Sequence, residues 1–219
     1  MKSLALWRAR GLAVARAADG VLRGRPTPQS WWLVVACGLT YGAVRGCYGG
    51  RPVQVAFSAV KVPILLLATV GLSLPSFFML NTLLGVRADF GAAMRGVIAS
   101  QSGLTVVLVA LAPLTAFWYA SSTVYRQAIL FNGLMFGVAS VGAQVILRRA
   151  YRPLVARDAR HRWLLRIWMV LYIFVGIQMG WVLRPFIGDP MEPVQFFREE
   201  AWDNAYVIVA RMVWEQVAR

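Results

Sequence analysis

Five long apolar stretches run along this 219-residue chain, and short polar segments separate them. Each stretch is close to or longer than the roughly 20 residues that an α-helix needs to cross the hydrocarbon core of a bilayer. No Asp or Glu lies inside any of the stretches, which are residues 31–48, 60–84, 97–120, 128–147 and 163–183. The pattern predicts an all-α fold, a polytopic membrane helix bundle with five transmembrane helices.

The segments on either side of the spans predict two amphipathic helices. In the N-terminal segment, the apolar residues that share one side of a helix are Leu4, Trp7, Val14, Val21 and Leu22. The residues expected to face lipid headgroups are Arg8, Arg16 and Arg23. In the C-terminal segment, the stripe at helical spacing is Trp202, Tyr206, Val209, Val213 and Val217. The predicted organisation is a basic cytoplasmic amphipathic leader at 1–29, a five-helix transmembrane domain at 30–184 and an outer-side tail at 185–219.

Polar residues and prolines set the expected limits of the spans. Residues 49–58 predict a polar break, after which the second span begins with Pro63 in its first turn. Pro75 predicts a kink within that span. The charge run at residues 148–162 predicts a basic loop between the last two spans.

Composition agrees with a bilayer environment. The chain is 59% hydrophobic and 15% charged, whereas soluble domains are about 45–50% apolar and about 25% charged. The formal net charge of +14 is compatible with nucleic-acid binding. The arginines nevertheless cluster beside the predicted spans rather than on one soluble face, which favours a membrane explanation.

The distribution of basic residues predicts the orientation. With five spans and a cytoplasmic N-terminus, 15 of the 23 Lys and Arg residues lie on the cytoplasmic side or just inside the fifth span. The C-terminus then lies on the outer side, in accord with the positive-inside rule. Arg45, Arg51 and Lys61 oppose the rule, because they fall on the translocated side. If the first span only dips into the membrane, the N-terminus lies on the opposite side.

The residues typical of catalysis are scarce. The single histidine, His161, falls in the basic run and is interpreted as a solvated loop residue. Cys37 and Cys47 are interpreted as small apolar side chains, since two cysteines ten residues apart match no metal-site or disulfide pattern. No glycine-rich phosphate motif occurs. We therefore expect no catalytic residue, no cofactor and no metal site.

Polar and small residues inside the spans have two interpretations each. Amides in the spans either hydrogen-bond between neighbouring helices or line a polar path, and they are Asn81, Gln101, Asn132, Gln144 and Gln178. Gly133 and Gly137 form a G-x-x-x-G pair. Such a pair allows close helix contact, either within the monomer or between subunits.

Arginines outside the spans are candidate contacts for anionic lipid or for a partner protein. In the basic run they are Arg148, Arg149, Arg152, Arg157, Arg160 and Arg162. Each basic residue near an anionic membrane surface contributes about 1 kcal/mol of attraction. Arg184 follows the fifth span, where it is placed to pair with Asp189 or Glu192 and hold the tail against the bundle.

Two stretches resemble bacterial Yip1-like membrane proteins. The first has the K-x-P-x-L-L-L spacing at residues 61–67, with Gly85 after the span. The second, residues 178–188 followed by Phe196, Phe197 and Arg198, is similar to the end of an uncharacterised branch of these proteins. The resemblance implies a five-span plan in a bacterial inner membrane. It implies no enzymatic activity, and better-known members act by binding partners and shaping membranes.

These observations favour a non-enzymatic integral membrane protein. The expected role is a scaffold, a membrane-organising factor or an accessory subunit of a larger complex, with membrane lipids and other membrane subunits as partners and no nucleic acid. The alternative is a channel or transporter, or a subunit of one, with an amide-lined path. A path requires the five amides to converge on one cavity, whereas a scaffold predicts that each is paired between neighbouring helices.

Overall fold

The computed structural model describes residues 13–23, 30–122, 124–189 and 191–198, and this part of the chain is helical without strands. Helix α1 covers residues 13–22. The longer helices are α2 (Ser30–Gly46), α3 (Pro52–Leu83), α4 (Phe90–Ser121), α5 (Tyr125–Arg157) and α6 (Arg160–Val182). Short 3₁₀ turns precede α3 and α4, at Tyr48–Gly50 and Arg87–Asp89.

Within the described residues, four segments are long and apolar enough to cross a membrane: Pro52–Leu83, Arg87–Ser121, Tyr125–Arg157 and Arg160–Val182. The prediction of an all-helical membrane protein is confirmed at this level. Helix α2 occupies the predicted first span but has 17 residues, which is at the lower limit for a single crossing. Of the predicted amphipathic helices, residues 1–12 of the first and the whole C-terminal stripe at 202–217 lie outside the described residues.

The long helices form a ring in which α2 lies between α3 and α4. Helix α4 also packs on α5, and α3 packs on α6. Helices α5 and α6 close the ring where their connected ends meet, in an apolar cluster that includes Leu147, Tyr151, Leu164 and Trp168. Val21 of α1 is fully buried and lies 3.6 Å from the position that a Cβ would take on Gly103. The leader helix is therefore packed against the bundle at this point.

Glycines in α2 permit its close contact with α3. A Cβ on Gly42 would lie 2.8 Å from the Cα of Ala59, and it would also clash with the carbonyl oxygen of Ser58. One turn later, a Cβ on Gly46 would lie 2.7 Å from the Cα of Val55. The two backbones thus approach each other more closely than any side chain would allow.

The predicted polar break at residues 49–58 is wrong for most of its length. Helix α3 begins at Pro52, and the prolines that follow, Pro63 and Pro75, both lie inside it. Proline suits this start because the first helical turn needs no backbone N–H donor. Gln54 and Ser58 are polar and fully buried, so they face the protein interior rather than a solvated loop.

The predicted loop at residues 148–162 is also largely helical. Helix α5 continues to Arg157 and α6 begins at Arg160, so that Asp158 and Ala159 make the connection. The arginines of this run occupy the last turns of α5 and the first turn of α6, with exposed side chains. Helix α5 extends beyond its apolar part, and the arginines on this extension give the same charge pattern as a basic loop.

The interpretation of His161 as a solvated residue is wrong. Its side chain is fully buried in the first turn of α6, and its Nε2 lies 3.1 Å from Asp89 Oδ2. The partner carboxylate also accepts a hydrogen bond of 3.2 Å from Arg157. Asp89, about 70 residues earlier in the chain, thus joins the start of α4 to the connected ends of α5 and α6.

Candidate functional site

A cleft of about 450 Å³ lies between α5 and α6. Its floor is formed by Leu65, Leu66 and Thr69 of α3 and by residues of α4 from Ser100 to Leu104. Most of the side chains that line it are apolar. The volume lies in the range of about 300–1,000 Å³ that is typical of small-molecule sites.

The cleft exists because α5 and α6 diverge from their connected ends. Leu147 and Trp168 pack together in the apolar cluster near the connection and also line the inner end of the cleft. Farther along, a Cβ on Gly133 or Gly180 would meet no atom within 4 Å. Small residues on both helices therefore leave the space between them open.

The open side of the cleft faces the surroundings of the bundle. Ile173 and Ile177 line the cleft and are 54% and 51% exposed. Both belong to a helix that is apolar and long enough to cross a membrane. A helix of this kind that crosses a bilayer would turn both residues toward hydrocarbon, so the open side of the cleft is suited to face lipid tails.

Polar side chains cluster along the middle of the cleft. Tyr172 of α6 donates a hydrogen bond of 2.9 Å to Oε1 of Gln101 on α4. On α5, Oε1 of Gln144 is buried and has no hydrogen-bond partner among the described residues. An amide oxygen buried without a donor is unfavourable. This position is therefore suited to an occupant, or a water molecule, that supplies a hydrogen bond.

Arg45 and Phe186 line the other end of the cleft. Arg45 is in the last turn of α2, and its Cζ lies 4.5 Å from the centroid of the Phe186 ring. The Nε atom of Arg45 is buried without a hydrogen-bond partner in the described part of the chain. The hydroxyl of Tyr119 donates to the backbone carbonyl of Arg45 at 3.1 Å. The arginine backbone is thus anchored while its side chain borders the cleft.

The chain after α6 folds back onto α3 and holds Phe186 in place. Lys61 Nζ donates a 2.8 Å hydrogen bond to the carbonyl of Pro185. Gln54 and Ser58 both donate to the carbonyl of Phe186. The three donors share one side of α3 and are fully buried. This segment follows the fifth predicted span, and its Phe186 forms one end of the cleft.

The structure brings together only two of the five candidate amides, Gln101 and Gln144. Asn132 donates to the Tyr119 hydroxyl at 2.6 Å and to the carbonyl of Ala128 at 2.8 Å. Asn81 donates to the carbonyl of Phe77 within its own helix. Gln178 is on α6, outside the cleft lining. Some of the amides are therefore hydrogen-bonded between or within helices, as expected for a scaffold. Two others lie at one cavity, as expected in part for a polar path.

The candidate arginines divide into three groups. Arg157 pairs with Asp89, and Arg160 pairs with Asp158 while donating to the carbonyl of Leu84. Arg184 stacks on Trp181, with its Cζ 3.4 Å from the ring centroid. The remaining candidates have exposed side chains, and they are Arg148, Arg149, Arg152 and Arg162. The last group forms no ion pair within the described residues.

The sequence did not reveal several residues of the cleft. Arg45 was recognised as a cation near the end of a span, but its position beside Phe186 depends on contacts between distant segments. Tyr172 carries no local signal that separates it from other aromatic residues of α6. Gly133 and Gly137 make no close contact within the described residues, so the interpretation of this pair as packing within the monomer is wrong there.

Within the described residues, no group of three or more His, Cys, Asp and Glu side chains is arranged to hold a metal ion. The chain matches no protein-family model, no curated protein and no solved structure.

Proposed function

We propose that this chain is a non-enzymatic integral membrane protein that binds an amphiphilic molecule of the bilayer in the cleft between α5 and α6. Such binding would serve a membrane-organising role or an accessory role in a larger complex. The observation that carries the proposal is the lateral opening of a mostly apolar cleft in which Gln144 Oε1 lacks a hydrogen-bond partner.

The chemistry of the lining supports binding. Among the described residues, the polar groups that line the cleft are one guanidinium, one phenol, one indole, hydroxyls and amides, without His, Cys, Asp or Glu. General acid–base catalysis most often uses His, Asp or Glu. Hydroxyl and amide groups set in an apolar cleft are instead typical of ligand recognition.

The alternative function is transport, which is favoured by the presence of both Gln101 and Gln144 in the cleft lining. A path across the bundle would have to continue past Leu147 and Trp168. Both residues are buried in the apolar cluster near the α5–α6 connection. Among the described residues the cleft therefore ends there, which supports binding from the bilayer rather than passage between two aqueous phases.

We further propose that α2 crosses the membrane as a fifth span, with the N-terminus in the cytoplasm. At its start, Ser102 donates a 2.7 Å hydrogen bond to the carbonyl of Ser30. The next residue of α4, Gly103, contacts Ile146, which lies two residues before the basic pair at 148–149. Starting near the level of these arginines, the 17 residues of α2 extend about 25 Å, close to the thickness of about 30 Å of the hydrocarbon core.

Labelling of single cysteines tests this topology. In a chain with Cys37 and Cys47 replaced by Ala, the variants Arg16→Cys and Arg87→Cys should react with an impermeant thiol reagent from the same side of the membrane. Arg126→Cys, between α4 and α5, should react from the opposite side. Reaction of Arg16→Cys from the side of Arg126→Cys would show that α2 does not cross.

The exposed basic surface and the resemblance to Yip1-like proteins support the wider role. Arg148, Arg149, Arg152 and Arg162 are exposed, and basic residues near a membrane surface attract anionic headgroups. The resemblance implies action through partner binding without catalysis. Both are consistent with a protein of a bacterial inner membrane that works through lipids and neighbouring subunits.

Two glycines of α5 provide a matched test of cleft binding. Gly133 lines the cleft and Gly137 does not, yet both are exposed and have open space where a Cβ would lie. Gly133→Leu should fill the cleft and reduce the lipid that copurifies in mild detergent, measured by native mass spectrometry. Gly137→Leu should leave it unchanged, because the gain in helix propensity is the same at both positions. Equal lipid retention in both variants and in the wild type would contradict the proposal.

A further inference from the structure

We propose that the cleft selects amphiphiles with an anionic headgroup, and that this group pairs with Arg45. The inference rests on the proposed function, since it names the class of molecule that the cleft would hold. The occupant to which it commits is an anionic phospholipid with one acyl chain in the cleft.

Arg45 has hydrogen-bond donors at the edge of the cleft. Its guanidinium borders the cleft above the ring of Phe186, and its Nε has no hydrogen-bond partner among the described residues. The phenyl ring provides a cation–π contact on one side, but an aromatic ring accepts no directed hydrogen bond of normal strength. The planar fork of donors is therefore available to a group in the cleft.

The lining of the cleft carries a positive charge. Arg45 is the only charged residue that lines the cleft, and no carboxylate of the described residues pairs with it. A cation in a low-dielectric membrane interior is costly unless it is paired or reaches water. Guanidinium binds phosphate and carboxylate with two parallel hydrogen bonds. An anionic headgroup thus matches the charge and the geometry of this site.

The length of the cleft fits an acyl chain. The segment of α5 that lines it, from Gly133 to Leu147, extends about 21 Å. One leaflet contributes about half of the hydrocarbon core of about 30 Å, so the cleft is long enough for an acyl chain. A chain whose headgroup lies at Arg45 would extend toward Trp168. The lateral opening beside Ile173 and Ile177 leaves a second chain of the same lipid in the bilayer.

The test compares two lipids with identical acyl chains, phosphatidylglycerol and phosphatidylcholine, added to delipidated full-length protein in detergent. Binding is measured by native mass spectrometry in the wild type and in Arg45→Gln, Arg45→Lys and Arg126→Gln. Arg126 is an exposed cation in the first turn of α5, outside the cleft, and provides the control. Circular dichroism and gel filtration establish that each variant is folded.

The wild type should bind phosphatidylglycerol about tenfold more tightly than phosphatidylcholine, since hydrogen bonds to a charged group contribute on this scale. Arg45→Gln should abolish the preference, Arg45→Lys should retain part of it, and Arg126→Gln should leave it intact. If Arg45→Gln does not fold, a preference that is reduced in Arg45→Lys and unchanged in Arg126→Gln supports the inference, and a preference that is unchanged in both contradicts it.

Two other results would contradict the inference while leaving the proposed function supported. In the first, both lipids bind the wild type equally and Gly133→Leu blocks both. In the second, a free fatty acid binds through Arg45 and phosphatidylglycerol does not. If lipid binding is insensitive to Gly133→Leu, the cleft is not the site and the proposed function fails as well.

Discussion

The buried ring of His161 joins the first turn of α6 to Asp89, the residue that precedes α4, across 3.1 Å. The same carboxylate also accepts a hydrogen bond from Arg157 at the end of α5. Because α5 and α6 separate beyond this end of the bundle, these contacts fix the point from which the cleft widens. The contacts of Asp89 with Arg157 and His161 therefore hold together the helix ends from which the candidate site opens.

Replacing His161 should destabilise the bundle. His161→Ala removes a fully buried side chain and leaves Asp89 with one partner fewer, which should lower the free energy of unfolding by about 2 kcal/mol. Arg162→Ala, an exposed neighbour, should change it by less than about 0.5 kcal/mol. Unfolding in mixed detergent micelles, followed by circular dichroism, measures both. Equal effects in the two variants would contradict a structural role for the histidine.

The connection between α5 and α6 should be sensitive to acid. A hydrogen bond from the side chain of Arg160, aided by one from its backbone N–H, lowers the pKa of Asp158 below its ordinary value of 3.8. The folded protein therefore favours the carboxylate. This contribution is fully present above the ordinary pKa and disappears as the pH falls through the lower, folded value.

Asp158→Asn should accordingly lose stability relative to the wild type at neutral pH. The difference between the two should shrink as the pH is lowered from about 5 toward 2. Thermal unfolding at a series of pH values checks this behaviour. A difference that is independent of pH would mean that the charge of Asp158 plays no part.

Close contact between α2 and α3 predicts a strong contrast between two glycines. Gly42→Ala should destabilise the protein by about 1–3 kcal/mol, because the new Cβ meets the backbone of α3 at Ala59. Gly71→Ala lies on an exposed part of α3 with open space around it. It should stabilise the protein by about 0.5–1 kcal/mol through helix propensity. Similar changes in melting temperature for both variants would contradict the close approach of the two helices.

The two amides of the cleft should respond in opposite directions to the same replacement. Gln144→Leu removes a buried oxygen without a partner, so the lipid-free protein should become more stable by about 1 kcal/mol. Gln101→Leu breaks the hydrogen bond from Tyr172 and should make it less stable by about 1 kcal/mol. Chemical unfolding of delipidated protein measures both. Loss of stability in Gln144→Leu would show that this amide is satisfied in the fold.

The membrane character of the chain was predictable because it follows from local composition. Twenty consecutive apolar residues have few alternatives to a bilayer, whatever their neighbours are. The ends of the helices were less predictable. Gln54 and Ser58 form polar contacts with a segment about 130 residues away, and sequence alone cannot distinguish such residues from a solvated break.

The same limit explains the errors at the other end of the bundle. Arg148, Arg149 and Arg152 occupy helical turns that extend past the apolar part of α5, while their charges match those of a loop. His161 lies among arginines in sequence, yet its ring points to Asp89. Neighbours in sequence set the charge of a segment, whereas partners from other helices decide which side chains are buried.

The candidate site was only partly visible in advance. Gln101 and Gln144 were identified because amides are rare in apolar spans, and both line the cleft. Asn132 satisfied the same criterion but hydrogen-bonds to Tyr119. The cavity itself arises from the divergence of α5 and α6, which no local pattern encodes.

A high-resolution structure of the protein in lipid nanodiscs that contain phosphatidylglycerol tests the central claim most directly. We predict elongated density between α5 and α6, bordered by Gly133 and Ile177, with its headgroup end at Arg45. A cleft that is closed by direct contact between the two helices, or that contains only disordered solvent, would contradict the account.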